Sequence, residues 1–146
     1  MRNFLQLCCI SIALLMVVSA CGNHNITAEE VQKALQHQGL EVTKINVGIA
    51  EQDEGSSLQL NGVFPGAFEL TLPAADMANR EFVFIYEHSS EEESKLANQS
   101  NGISSLQMVD LQPNIRQKKN VVVIYWSHNK ENPLMINQFT KVMDEL

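Results

Sequence analysis

Thiols are scarce in this sequence. Cysteine occurs three times, and Cys8 and Cys9 fall inside an apolar N-terminal run that reads as a removable leader. Only Cys21 is then left, too few for an internal disulfide or a cysteine-ligated zinc centre. Bases are also few. Ten Lys and Arg stand against seventeen Asp and Glu, a net charge of −7, and removal of Arg2, the one charged residue in the first twenty, takes it to −8. Such an acidic chain excludes general nucleic-acid binding and electrostatic adhesion to anionic lipid. No apolar run reaches the ~20 residues of a spanning helix. There is no Gly-rich phosphate loop, no G-x-S-x-G, no S-x-x-K and no H-E-x-x-H. The acidic stretch Glu51–Glu54 lacks the spacing of a calcium loop. No internal repeat and no low-complexity segment is present, and 45% hydrophobic with 18% charged residues is ordinary for a globular fold.

What is present begins with the leader. Met1-Arg2-Asn3 is singly positive, and Phe4–Val18 is apolar apart from Gln6 and Ser11. Its fifteen residues suit the hydrophobic region of a signal peptide. Val18-Ser19-Ala20-Cys21 follows, an aliphatic residue, two small residues and a cysteine. This resembles the lipobox of bacterial lipoproteins. The resemblance implies cleavage between Ala20 and Cys21 and lipid attached to Cys21. Expected boundaries are 1–20 for the signal peptide, 21–26 for the lipidated N-terminus and a short linker, and 27–146 for a single folded domain. With the leader gone, 126 of the 146 residues remain, enough for one sizeable core.

The folded part reads as follows. Thr27-Ala28-Glu29-Glu30 is a capping box opening a helix to about Gln38, which Gly39 ends and Leu40 closes. Strands are expected over 42–49, from Leu58, over 68–72, over 81–86, over 106–111 and over 121–126. The runs Glu81–Tyr86 and Val121–Trp126 do not alternate, as suits strands covered on both faces. Ser90-Glu91-Glu92-Glu93 predicts a second capping box, for a helix ending near Asn101-Gly102. Asn132-Pro133 predicts the start of a last helix, with Met135, Ile136, Phe139, Val142, Met143 and Leu146 on one face. The order is α-β-β-β-β-α-β-β-α, an α+β fold with a mostly antiparallel sheet and helices packed on it.

The lipobox joined to a helix ending in GL, then LNGVFPGAFEL, FVFIYEHSSEEESKL and KKNVVVIYW, resembles a group of small lipoproteins from Bacillus-like Firmicutes with no assigned activity. It implies a fold and a place in the cell envelope, and it carries no active site over.

Two histidines are the chemical candidates. His88 lies two residues past Tyr86 and His128 two past Trp126, each just beyond an apolar strand. If those strands are parallel neighbours, both imidazoles emerge at one sheet edge, where His88, Trp126 and His128 could form a ligand site. A metal-assisted enzyme using His88 and His128 is the alternative function. Arg116, Lys118 and Lys119 form the one basic cluster, a solubilising surface or a contact for an anionic partner. The leading expectation is a lipid-anchored lipoprotein on the extracytoplasmic face of the cell membrane. It would be a non-enzymatic binding module for an envelope protein, with no cofactor, no metal and no nucleic-acid partner. A solute receptor is disfavoured by size, since such receptors close two lobes on a ligand.

Overall fold

The computed structural model of the chain describes residues 24–47, 58–73, 80–106 and 108–146. Helix α1 spans Ala28–His37, and both halves of its capping box form. Thr27 Oγ1 accepts from the Glu30 amide (3.2 Å), and Glu30 Oε2 accepts from the Thr27 amide (2.8 Å). At the other end Gly39 takes φ +82°. The Gly39 amide donates to Gln36 O (2.9 Å) and the Leu40 amide to Leu35 O (3.4 Å), the paired closure of a Schellman motif. Leu35 and Leu40 are buried in the same core.

Five strands follow: β1 (Glu41–Lys44), β2 (Gly66–Thr71), β3 (Glu81–Glu87), β4 (Gln112–Lys118) and β5 (Val121–Ser127). Between β3 and β4 lie α2 (Glu91–Gln99) and α3 (Asn101–Ser105), and α4 (Ile136–Glu145) follows β5. The strands form one sheet, ordered β1-β2-β3-β5-β4, with every neighbour antiparallel. The fold is α+β, as the sequence predicts. The Leu58 run contributes an isolated bridge, Leu60 to Val63, across Asn61 (φ 49°) and Gly62 (φ 78°). Two positive φ angles in an Asn-Gly pair make the hairpin turn whose twist matches antiparallel strands. Counting that bridge as a β element, and α2 with α3 as one helical stretch broken at extended Ser100, the order is the expected one.

The sheet is covered on both faces. Val83, Ile85, Val121, Val123 and Tyr125 point to one core with α1 and α4 residues, while Phe84, Tyr86, Val122, Ile124 and Trp126 point to a second core that includes Ala97 of α2. Both residue parities of β3 and β5 are therefore buried, which is why neither run alternates.

Several boundaries differ from expectation. The strand placed over 106–111 lies instead at Gln112–Lys118, through Pro113 rather than before it. β4 is at the end of the sheet order and pairs with β5 alone, so a proline there removes no ladder bond on its outer side. The strand expected over 42–49 stops at Lys44, and Ile49 lies outside the described residues, as does the Glu51–Glu54 loop. At the start of α2, Ser90 Oγ accepts from the Glu93 amide, but the Glu93 carboxylate reaches past Ser90 to the amide and hydroxyl of Ser89. The last helix begins at Ile136, three residues later than Asn132-Pro133 predicts, for a reason found at the site itself.

Candidate functional site

The register of β3 against β5 decides which polar residues meet. Phe82 faces Trp126 and Glu87 faces Val121, so the strands run in opposite directions. His88 and His128 consequently sit at opposite ends of the sheet, about a strand length or roughly 20 Å apart. The parallel-neighbour expectation is wrong, and with it the shared edge. A metal-assisted site built from His88 and His128 has no geometric basis. Trp126 does not join the two imidazoles: its indole is buried in the second core, 6.1 Å edge-on from Phe84. Among the described residues no three of His, Cys, Asp and Glu are close enough to hold a metal ion. Cys21, the expected lipid attachment point, lies outside the described residues.

Each end of the sheet has its own chemistry. At the His88 end lies Ile26, which buried Asn120 holds from both sides. Asn120 Oδ1 accepts from the Ile26 amide (2.7 Å), and Asn120 Nδ2 donates to Ile26 O (3.0 Å) and to His88 O (3.1 Å). His88 is 3% exposed, and its Nε2 has no hydrogen-bond partner among the described residues. Burial pushes its pKa below the ordinary 6.5, against the opposing pull of Glu93. Nearby, His24 Nε2 donates to Glu30 Oε1 (2.7 Å). That bond, with the Thr27 amide, holds the Glu30 carboxyl at about 2. Of the basic cluster, Lys118 Nζ donates to Asp144 O (3.2 Å) and Lys119 occupies the β4–β5 turn with φ 46°.

At the other end is a cleft of about 380 Å³ between the 128–135 loop, the first turn of α4 and the start of β3. Its floor holds Glu81, a carboxylate only 2% exposed. The Tyr125 hydroxyl donates to Glu81 Oε2 and accepts from the Met135 amide (2.9 Å), while the Leu134 amide donates to Glu81 Oε1 (3.4 Å). Burial, and then the hydrogen bond to Glu81, push the Tyr125 hydroxyl pKa above its ordinary range, so it remains a neutral donor. These contacts explain the late start of α4. The helix has no side-chain cap of its own; a carboxylate and a phenol from the sheet satisfy the amides of Leu134 and Met135 instead. The negative end of this chain of bonds lies at the positive end of the helix dipole.

The rim is polar. His128 Nε2 lies 3.0 Å from Arg80 O, and since a carbonyl only accepts, the proton is on Nε2 and Nδ1 carries the lone pair in the neutral ring. Asn129 Oδ1 accepts from the amides of Glu131 and Asn132 (both 3.0 Å), which shapes the loop. Asn132 and Asn137 complete the polar wall, with Pro133, Leu134 and Ile136 supplying apolar surface. Sequence reasoning singled out His128 and missed Glu81, Tyr125 and Asn120. The available signal was a charged or amide residue abutting an apolar run: Glu81 opens one doubly covered strand, and Asn120 immediately precedes the other.

Comparison with known protein families, curated proteins and solved structures finds nothing that matches this chain. The arrangement itself offers a preformed, acceptor-rich cleft at one end and a clasped N-terminal segment at the other.

Proposed function

We propose that this chain is a bacterial lipoprotein, held on the extracytoplasmic face of the cell membrane by lipid on Cys21. Its folded part is a non-enzymatic interaction module of the cell envelope. The observation that carries the reading is Val18-Ser19-Ala20-Cys21 directly after a fifteen-residue apolar run. One further observation supports it. The Asn120 clasp holds Ile26, five residues after Cys21, a reach of at most about 18 Å. On this reading the Asn120 end lies toward the bilayer and the Glu81 cleft faces outward. Lipid chains contribute about 0.8 kcal/mol per buried methylene, so two or three of them hold the protein durably.

The test is Cys21→Ala in a bacterial host fed an alkyne-bearing fatty acid. The native chain is expected to take up the label, lose its leader and sediment with membranes. The variant is expected to take up no label and to keep its leader. A variant still cut after Ala20 and still partitioning with lipid defeats the reading.

A further inference from the structure

We propose that the cleft at the Glu81 end of the sheet binds a small ligand through a primary ammonium group, with hydroxyl or amide groups beside it. The cleft measures about 380 Å³, within the range of about 300–1,000 Å³ for small-molecule sites. Its most buried charged group is the Glu81 carboxylate, whose hydrogen-bond partners among the described residues are a neutral phenol and a backbone amide, one on each oxygen. A carboxylate offers about four lone-pair positions, so each oxygen can take another donor. Among the described residues that line the cleft there is no lysine or arginine. The amides of Leu134 and Met135, which would otherwise attract an anion to the helix start, are already bonded to Glu81 and Tyr125. Charge therefore selects against anions and for a cation. An ammonium has three donors, which suits the Glu81 carboxylate and the side-chain amide oxygens of the rim. The exposed amides of Asn132 and Asn137 both donate and accept, as neighbouring hydroxyls or amides require. The proposal does not rest on the lipid anchor, and its failure would leave that reading intact.

The experiment uses the full chain, purified in detergent and labelled with ¹⁵N. It is titrated with glucosamine, ethanolamine and glycinamide, and with their neutral counterparts glucose, ethylene glycol and acetamide. The expected result is saturable movement of the Leu134 amide and the Asn132 and Asn137 side-chain resonances with at least one amine. Its neutral counterpart should bind about tenfold or more weakly. Glu81→Gln should weaken the amine by about ten- to a hundredfold, the worth of a hydrogen bond to a charged group. Because Glu81 also steadies α4, a second variant leaves the interior intact: Asn137→Lys puts a cation on the exposed rim. It should weaken the amine at low salt and less so at high salt, while the native amide spectrum persists. Equal binding of amines and neutral counterparts, no saturable movement with any probe, or amine binding unchanged in Asn137→Lys would overturn the proposal.

Discussion

Tyr125 performs two jobs with one oxygen. Its hydroxyl donates to Glu81 and accepts from Met135, so its removal leaves a buried carboxylate and a buried amide each one partner short. Tyr125→Phe keeps the ring against Phe139 and deletes only that oxygen. We expect a loss of about 1–3 kcal/mol in chemical denaturation, the cost of unsatisfied buried groups. His88 acts through its charge state. Its folded pKa is depressed below 6.5, so the unfolded chain binds the proton more readily. Its contribution is fully present above pH 6.5 and is lost as pH falls through the lower folded value. The free energy of unfolding should therefore drop between pH 7.5 and pH 5, and His88→Gln should flatten that slope. Glu30 makes a separate contribution in a lower window, present above the ordinary 4.5 and lost as pH falls toward about 2. A slope above pH 5 that persists unchanged in His88→Gln would show that the imidazole is not its source.

Among the elements, α4 depends most on its apolar face. Phe139, Val142 and Met143 are all buried, and Phe139 sits 5.2 Å from the Tyr125 ring. Phe139→Ala should cost about 3–5 kcal/mol, the range for truncating a buried aromatic. A loss under about 1 kcal/mol would mean that this face is not anchored in the core. That face is readable from spacing alone, and so are the capping box at Thr27 and the doubly covered strands 81–87 and 121–127. Strand direction is not. A run buried on both faces has the same apolar composition whether its neighbour is parallel or antiparallel, so nothing local to Phe82–Tyr86 says that it meets Val122–Trp126 head to tail. The cleft was hidden for the same reason. Glu81 and Tyr125 are 44 residues apart and meet only through that register. The start of α4 was misplaced because its amides are satisfied from the sheet, whereas sequence rules look for a cap in the adjacent residues.

At the scale of the whole molecule the two ends differ in kind. One end holds a polar clasp beside a cleft of about 230 Å³, and the other carries the larger Glu81 cleft. Asn120 is 1% exposed and holds Ile26 and His88 through three hydrogen bonds. Asn120→Ala should release the segment ahead of α1 at a cost of about 3 kcal/mol, near 1 per bond. Limited proteolysis should then cut around residues 24–27 faster than in the native chain, while the resonances of the Glu81 cleft stay in place. Cutting at the native rate would show that the segment is held by its other contacts, such as Asn25 Nδ2 to Ser89 O (3.3 Å).

The clasp also has a mechanical consequence. Asn120 is joined directly to the first residue of β5, which lies between β3 and β4. On the proposed anchoring, a pull between the N-terminal side of Ile26 and the far end of the sheet is passed by the clasp along the axis of β5 toward Tyr125. The ladders to β3 and β4 are then loaded in shear, with all their hydrogen bonds sharing the force. Without the clasp the same pull would run through α1 into the edge strand β1 and unzip the sheet one bond at a time.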